Sequence, residues 1–385
     1  MTEDFFSSIP EIVRLKRPLD LPSPLSEIEL LSELEALSKK NKPGNNFLGA
    51  GCYDHFIPSA IKHIVSRSEF YTAYTPYQAE ASQGTLQVIY EYQSMICALT
   101  GMDAANASMY DGATAMAEAA FLACRATGRN KISISSAVHP EYRKVLKTYA
   151  KSADLELIEV PFDIKTGLTD HKFIALSDSA CFILSQPNFF GCIEDASSLA
   201  KRVHDAGALF IVSVDPISLG ILSPPGEYGA DVVVGEGQSL GSPQNFGGPG
   251  LGLFAVKSKF LRQMPGRLVG KTIDIDGKTG YTLTLQAREQ HIRRERATSN
   301  ICSNEALCAL AACAYLSLMG KRGIRRIAEI CLERSIRLKR KLGSPFSAQT
   351  FKEFVAFSKD GLPLEGFYPE LKDYSLICTT ELSRV

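Results

Sequence analysis

Length, composition and charge exclude several classes of protein. The chain has 385 residues, 45% of them hydrophobic and 22% charged, which is ordinary for a globular protein large enough for more than one core. Its 42 lysines and arginines balance 42 acidic residues, so bulk charge does not favour a nucleic acid or a membrane surface as partner. The acidic start lacks an apolar signal-peptide core, and apolar runs stay short of the roughly 18 residues of a membrane span, so we expect a cytoplasmic protein.

The ten cysteines are predicted to be buried free thiols. None forms a C-x-x-C pair, and most lie in apolar stretches such as ALCALAACAYL. Zinc sites and disulfide frameworks need tighter, turn-flanked spacing, so we expect no metal centre and a reducing compartment.

Residues 1–46 are predicted to form an N-terminal arm with one helix. Prolines punctuate the beginning of the arm, and the stretch SPLSEIELLSELEALSKKN follows. Pro24 is expected in the first turn of this helix, and Asn41 is expected to cap its end. Four apolar residues recur at near-helical spacing: Ile28, Leu31, Leu34 and Leu37.

The next part of the chain, residues 47–320, is predicted to be a large α/β domain. After a tyrosine-rich loop, one helix is expected over 85–100, with Gly101 at its end, and a second is expected to end at Gly128. Six short apolar runs then alternate with helical stretches: KISIS (131–135), LELIEV (155–160), ACFILS (180–185), ALFIVSV (208–214), DVVVG (231–235) and LGLFAV (251–256). Alternation of this kind predicts a mostly parallel sheet covered on both faces, with ligands at the carboxyl ends of the strands.

Residues 321–385 are predicted to form a small α+β domain. Two helical runs, ALCALAACAYLSLMG and GIRRIAEICLERSIRLKRKLG, precede two strand candidates, FKEFVAFS and YSLICTT. The segments around these strands are short for such a domain, so we expect a trimmed version of it.

The glycine-rich stretch GEGQSLGSPQNFGGPG follows the apolar run that ends at Val234. A dinucleotide fingerprint requires G-x-G-x-x-G and a helix, but the third glycine, Gly241, comes one place late and Pro243 follows it. A second stretch, GRLVGKT, is one residue short of a P-loop and leads into a turn rather than a helix. Neither stretch is predicted to bind a nucleotide.

Two other features together indicate a pyridoxal phosphate (PLP) enzyme fold of the aspartate aminotransferase type. Gly112, Ala113 and Thr114 open a helix just before the parallel strands, and Asp215 ends a strand. In that fold a helix N-terminus holds the cofactor phosphate and a strand-end aspartate pairs with the pyridinium nitrogen. Taken alone, the first feature is more simply an ordinary helix start, and the second is more simply a solvated aspartate in an Asp-Pro turn. Their order and spacing together favour the PLP fold.

The chain lacks the lysine that PLP chemistry requires for its Schiff base. That lysine should follow the Asp215 strand and one further strand, yet no lysine lies between Lys201 and Lys257. The glycine-rich stretch occupies the place where it should be.

Several long stretches resemble the P protein of the glycine cleavage system, and most closely subunit 1 of its two-subunit form. They are YTAYTPYQAEASQGTLQVIYEYQSMICALTGMDAANASMYDGATAMAEAA, AVHPEYRKVLKTYA, GADVVVGEGQSLGSPQNFGGPGLGLFAV, REQHIRRERATSNICSNEAL and FYPEL. The resemblance implies PLP fold type I and a pair of αβ units. It also implies a homologous subunit 2 that carries the PLP lysine, decarboxylation of glycine, and transfer of the aminomethyl group to lipoylated H protein.

The resemblance implies site residues as expectations. Gln238 or Ser239 occupies the lysine position, depending on the end from which the loop is counted, so the cofactor pocket of this chain is expected to be vestigial. Residues of that vestigial pocket would be Gly112, Ala113, Thr114, His139 and Asp215. Candidates to reach the partner's active site are Tyr74, Tyr77, Gln78, Thr298 and Ser299, with aromatic interface packing an equally open interpretation of the tyrosines. Arg293, Arg294 and Arg296 could help Thr298 or Ser299 to bind the partner's cofactor phosphate. The alternative is that these arginines form a solvated or ion-paired surface.

Three alternatives are weighed against this interpretation. A self-sufficient PLP lyase conflicts with the missing lysine. A scaffolding pseudoenzyme of the PLP fold, paired with a different partner, stays open but does not account for the length of the resemblance. A nucleotide-binding enzyme would have to use GRLVGKT.

Overall fold

A computed structural model of the chain describes residues 4–42 and 44–385. The chain divides into two compact units, residues 1–45 and residues 46–385. The predicted boundary between a large and a small domain near residue 320 stays a prediction.

The first unit is built around helix α1 (Glu27–Ser38). Its N-cap is Ser26, which exchanges hydrogen bonds with Glu29 in a capping box. The prediction that Pro24 lies in the first turn is therefore wrong, because the serine with a glutamate three residues later is the stronger start signal. At the other end the C-cap is Lys39 rather than the predicted Asn41, whose side-chain amide instead donates to the carbonyl of Ser38 at 3.1 Å from outside the helix. The apolar positions of the helix are exposed.

The second unit contains the predicted helices and strands. Its early helices are α2 (Ser59–Val65), α3 (Ser68–Tyr71) and α4 (Gln83–Thr100), followed by the short strand β1 (Ala104–Ala105) and by α5 (Gly112–Thr127). Gly101 and Gly128 end α4 and α5 in the left-handed conformation, as predicted. The next elements are β2 (Lys131–Ser135), α6 (Pro140–Ser152), β3 (Glu156–Val160), β4 (Ser179–Gln186), α7 (Ala196–Asp205), β5 (Leu209–Val214), β6 (Val232–Glu236) and β7 (Gly252–Val256).

These strands form one seven-stranded sheet in the order β1-β7-β6-β5-β4-β2-β3. The pairs from β3 through β6 are parallel, whereas β7 and β1 add an antiparallel edge. Alternate residues of β4 enter different cores: Phe182 packs into one and Ile183 into the other. Because both faces are covered, β4 and β5 are buried along their whole length, and the prediction of a mostly parallel α/β sheet is confirmed.

The remaining elements lie after the sheet. They are the hairpin β8 (Leu268–Ile273) and β9 (Thr279–Thr284), the short helix α8 (Gln290–Arg293), the long helix α9 (Ala306–Leu342) and the strands β10 (Glu353–Ala356), β11 (Leu362–Pro363) and β12 (Ser375–Cys378). GRLVGKT therefore runs into a hairpin strand, and both strand candidates near the C-terminus are confirmed. Non-helical φ and ψ at Gly320 divide α9 into the two helical runs predicted from the sequence.

Helix α9 is long and apolar enough to cross a membrane by length and composition. Half of its most apolar window is buried inside the protein, where Ala309, Ala312 and Tyr315 join the main core. It is a core helix of a folded domain.

The cysteines are free, as expected, but they are not uniformly buried. Cys52 and Cys302 are exposed, while the other eight are partly or fully buried. Both exposed residues lie in irregular loop segments, where no apolar periodicity marks burial.

Candidate functional site

A cavity of about 70 Å³ lies at the carboxyl ends of β5 and β6, and Glu236 in its wall accepts a hydrogen bond from the first residue of α5. Asp215 directly follows β5, and Glu236 is the last residue of β6. His139, Tyr53 and Lys352 also line it. The cavity therefore occupies the edge of the sheet at which the sequence predicts a ligand.

The N-terminus of α5 is closed by acidic side chains. Asp111 caps the helix, and its carboxylate accepts from the backbone N–H of Thr114 at 2.8 Å. The Glu236 carboxylate accepts from the N–H of Gly112 at 3.0 Å, and it also accepts from the N–H groups of Gln238 at 3.0 Å and Leu251 at 2.8 Å. The sequence predicts a phosphate at this helix start, but its N–H groups already bind the carboxylates of Asp111 and Glu236.

Close packing surrounds the same helix start. A Cβ atom added at Gly112 would lie 2.6 Å from the Tyr142 hydroxyl and 3.0 Å from the backbone nitrogen of Glu236. Burial, opposed by the backbone N–H donors, raises the pKa of Glu236 above its ordinary value.

Asp215 forms a buried ion pair with Lys352, which immediately precedes β10. Lys352 Nζ lies 2.8 Å from Asp215 Oδ2, and the lysine is 1% exposed. Burial works to lower the pKa of Lys352, but the charge of Asp215 and the bond between them prevail and raise it. Lys352 is therefore a charged ammonium at the position that the sequence assigns to a pyridinium nitrogen.

The Lys352 ammonium has two further partners. It lies 3.3 Å from the ring centroid of Tyr53 and 3.2 Å from His55 Nε2. An ammonium only donates, so His55 Nε2 accepts and the proton of His55 lies on Nδ1. That proton is donated to Glu381 Oε2 at 2.7 Å.

His55, Cys331 and Glu381 bring their ligand atoms within 4.8 Å of one another, a grouping that could hold a metal ion. A metal on Nδ1 would require its lone pair, but the bond from Lys352 fixes the proton on that nitrogen. The three side chains therefore extend the hydrogen-bond network of Lys352.

Glu353 forms another acidic part of the wall. Its carboxyl accepts from the N–H of Ala50 at 2.7 Å and from the Tyr53 hydroxyl at 2.8 Å. Burial raises its pKa to about 7, with Asp215 adding to the shift and Lys352 opposing it. The carboxyl therefore titrates near neutral pH.

His139 lies in the cavity wall and is fully engaged by the chain. Its Nδ1 accepts from the N–H of Glu141 at 3.1 Å, so its Nε2–H donates to the Ala50 carbonyl at 2.8 Å. Its ring stacks on Tyr142 at 4.8 Å between centroids, and burial lowers its pKa. The ring that would cover a cofactor in this fold thus has an aromatic partner within the same helix.

The two candidates for the lysine position are both buried, and neither is among the residues that line the cavity. The Gln238 amide accepts from the N–H of Tyr53 at 2.9 Å and donates to the carbonyls of Tyr53 at 3.1 Å and Ser242 at 2.7 Å. Within the described part of the chain, Ser239 Oγ has no hydrogen-bond partner. The Gln238 side chain therefore links the backbone at Tyr53 to the backbone at Ser242.

The two segments proposed to face a partner converge on one residue, Arg267. Its guanidinium donates to the Tyr77 hydroxyl at 2.7 Å, to Thr75 at 3.1 Å and to Ser303 at 2.9 Å, and it is 3% exposed. Thr298 lines the same cleft as Arg267. These residues come from three separate regions of the sequence. Arg267, which directly precedes β8, contacts the other two regions.

The other candidates lie around this cluster. Tyr74 is 80% exposed, and Gln78 is exposed as well. Ser299 donates to Glu118 at 2.7 Å, which satisfies its hydroxyl inside the chain. The arginines at 293, 294 and 296 are exposed, and Arg296 Nε lies 3.9 Å from the carboxylate of the adjacent Glu295.

Sequence reasoning missed Glu236 and Lys352 of the cavity and Arg267 of the neighbouring cleft. Glu236 could have been found, because it stands between two glycines at a strand end. Arg267 lies within the rejected GRLVGKT stretch. Nothing near Lys352 in the sequence signals its role, because its partner Asp215 lies 137 positions earlier.

The sheet, the helix start at Gly112 and the strand-end aspartate define a chain of PLP-dependent transferase fold type I. Solved structures agree. A sphingosine-1-phosphate lyase of Burkholderia pseudomallei superposes with a TM-score of 0.64 at 14% identity over 96% of this chain and 89% of its own. At that identity the likeness shows the fold alone.

Closer relatives define the family. The family model described as glycine cleavage system P-protein matches residues 1–362, and the chain belongs to that family. Probable glycine dehydrogenase (decarboxylating) subunit 1 of Desulforamulus reducens is 53% identical, and that of Moorella thermoacetica 54%, each over 99% of this chain and 91% of the relative. A crystal structure of glycine decarboxylase (P-protein) in inhibitor-bound form superposes with a TM-score of 0.90 at 42% identity over all of this chain and 92% of its own. The resemblance inferred from the sequence is confirmed.

The cofactor of the fold does not fit the pocket of this chain. Neither candidate for the lysine position, Gln238 or Ser239, carries an amine. Asp215 Oδ2 already holds the Lys352 ammonium, and the N–H of Gly112 already donates to the Glu236 carboxylate. A cofactor would have to displace both groups.

Proposed function

We propose that this chain is the subunit of glycine decarboxylase that does not carry the cofactor lysine, and that it pairs with a second, homologous subunit that holds PLP. The pair, assembled as two αβ units in the cytoplasm, acts on glycine and transfers the aminomethyl group to the lipoyl group of H protein. The alternative, a scaffolding pseudoenzyme with another partner, is not favoured, because the subunit 1 relatives match almost the whole chain.

The observation that carries the proposal is that the charged groups of the pocket are paired with other groups of the same chain. Gln238 and Ser239, the two candidates for the lysine position, have no nucleophilic amine, and Gln238 is bonded to the backbone of Tyr53. Asp215 and the N-terminus of α5 each have a partner from this chain. Such a chain contributes surfaces and support to a reaction centre located elsewhere.

We propose that the cluster around Arg267 is the surface that faces the partner's active site. Tyr77 is fixed by a buried arginine yet is 51% exposed, so its ring is presented outward in a defined position. Thr298 lies in the adjoining cleft, where a hydroxyl could donate to the phosphate of a cofactor held by the partner.

Co-expression with a candidate second subunit tests the main proposal. The pair is expected to catalyse glycine-dependent exchange of CO₂ with lipoylated H protein, whereas each chain alone is not. Equal activity without this chain, or failure to form a complex, would refute the proposal.

A change at Thr298 tests the proposed surface separately. In the assembled complex, Thr298→Ala is expected to weaken PLP binding roughly tenfold, the value of one lost charge-assisted hydrogen bond. Ser299→Ala is the matched control, because that hydroxyl is already satisfied by Glu118. Unchanged PLP affinity in Thr298→Ala would remove Thr298 from the partner's site.

A further inference from the structure

Two charged side chains of this chain occupy the two ends of the pocket in which its fold places a cofactor. Lys352 stands at the Asp215 end and Glu236 stands at the α5 end. A fold type I cofactor would bring a positive ring nitrogen to the first end and a negative phosphate to the second. The two side chains match those charges in sign and in position.

The bonding of Lys352 leaves nothing unsatisfied. An ammonium has three N–H donors, and Lys352 has three neighbours to receive them: Asp215 Oδ2 at 2.8 Å, His55 Nε2 at 3.2 Å and the face of Tyr53 at 3.3 Å. A pyridinium N–H would compete for the same oxygen of Asp215 and would leave a buried ammonium without its counterion. Such displacement is strongly unfavourable, because an isolated charge in a buried site has lost its hydration without compensation.

The bonding of Glu236 is equally complete. Both of its carboxylate oxygens accept backbone N–H groups, from Gly112 to one oxygen and from Gln238 and Leu251 to the other. A phosphate at the start of α5 would need the N–H of Gly112 and would bring a second negative charge against the carboxylate. Two negative charges that share one N–H donor in a buried site repel each other, so the carboxylate excludes the phosphate.

We propose that Lys352 and Glu236 are internal replacements for the two charged ends of the cofactor, and that they make folding of this chain independent of any ligand. The inference rests on the proposed function, in which the second subunit holds the cofactor. Lys352 comes from the segment before β10 and Asp215 from the end of β5. The replacement therefore ties the C-terminal sheet to the central sheet, a link that a bound cofactor would otherwise provide.

The first experiment measures the coupling between Lys352 and Asp215 in the purified full chain by thermal unfolding. Lys352→Met and Asp215→Asn are each expected to lower the Tm by several degrees, because each leaves the other charge unpaired. The double variant Lys352→Met/Asp215→Asn, in which no charge is left alone, is expected to recover much of that loss. Lys359→Met, at an exposed lysine in the same region, is the matched control and is expected to leave the Tm unchanged.

A double variant whose Tm loss equals the sum of the two single losses would overturn the inference, because independent packing roles would then explain both residues. If a single variant does not fold, the Tm of the double variant still tests the inference. If the double variant fails to fold while the control folds, the pair is not an exchangeable charge replacement and the inference is likewise overturned.

The second experiment asks whether the two side chains exclude a cofactor-shaped ligand. The probe is pyridoxine 5′-phosphate, which has no aldehyde and therefore cannot react with lysines elsewhere on the surface. The wild-type chain is expected to show no Tm shift and no calorimetric binding at millimolar probe. The double variant Lys352→Ala/Glu236→Ala is expected to gain Tm with the probe, and pyridoxine without phosphate is expected to produce a smaller shift.

Binding of the probe by the wild-type chain would overturn the inference, as would its failure to stabilise a folded Lys352→Ala/Glu236→Ala chain. Both experiments use this chain alone and read stability and binding. A failure of the CO₂ exchange assay in the assembled pair would therefore count against the proposed function without altering these results.

Discussion

The Arg267 guanidinium donates a hydrogen bond of 2.7 Å to the hydroxyl of Tyr77 and lies 5.2 Å from the centroid of that ring. The same guanidinium reaches Ser303 at 2.9 Å, and its Nε lies 3.6 Å from Glu289. One buried cation thus holds together the tyrosine-rich segment and the segment that leads into α9. The planar fork of an arginine suits this task because it directs several donors at once.

Arg267→Met is expected to destabilise the chain by about 3 kcal/mol, because the buried carboxylate of Glu289 loses its arginine and keeps only His291 Nδ1, at 3.5 Å, beside it. It is also expected to lower kcat/KM of the assembled complex, since Tyr77 loses the bond that orients it. Urea unfolding of the chain and steady-state assays of the complex measure the two effects.

Arg267→Met/Glu289→Gln separates the two effects of the arginine. The double variant is expected to recover stability but not kcat/KM. Recovery of both would show that Arg267 serves only to support the fold.

A lysine restored at the glycine-rich loop is not expected to create a cofactor site. Gln238→Lys removes the amide that pairs with Tyr53 in both directions, at a cost of about 2 kcal/mol. The side chain at 238 is not part of the cavity wall, and Lys352 still occupies Asp215.

Absorption spectra of the Gln238→Lys chain with added PLP provide the measurement. No imine band above that of wild type is expected, and Ser239→Lys is the matched variant for the other candidate position. A stoichiometric band in either variant would contradict the prediction and identify the lysine position.

The sequence correctly predicts those parts of the structure that depend on residues close together in the chain. The strand KISIS and the glycine that ends α5 are found where expected, because apolar periodicity and left-handed caps act within a few residues. The partner of Asp215 could not be found in this way, because it arrives through the register of β10 against β12. Position in the fold, and not local composition, makes Lys352 a charged partner in the interior.

Glu353 is predicted to make stability fall as pH rises toward neutrality. Its pKa is raised by burial from 4.5 to about 7, so between these values the folded chain holds a proton that the unfolded chain has released. The contribution is complete below pH 4.5 and is lost as pH rises through about 7, an effect of about 3 kcal/mol.

Glu353→Gln is expected to remove this slope, because the amide resembles the protonated carboxyl at every pH. The difference in Tm between variant and wild type should therefore grow from pH 5 to pH 7.5. Glu365→Gln, at an exposed site, is the matched control. Parallel pH profiles of wild type and Glu353→Gln would contradict the assignment.

Gly191 is predicted to be intolerant of any side chain, because the segment that carries Lys352 passes directly over it. Its φ is +78°, and an added Cβ would lie 1.9 Å from the carbonyl oxygen of Glu353. Phe351 also donates its N–H to the carbonyl of Gly191 at 3.0 Å, so the two segments cannot separate without losing this bond. Gly191→Ala is therefore expected to cost at least about 3 kcal/mol in urea unfolding, by steric strain together with loss of the Lys352 register. Gly366→Ala, where the added Cβ meets no atom within 4 Å, should change stability by less than about 0.5 kcal/mol, and equal losses in the two variants would refute the close approach.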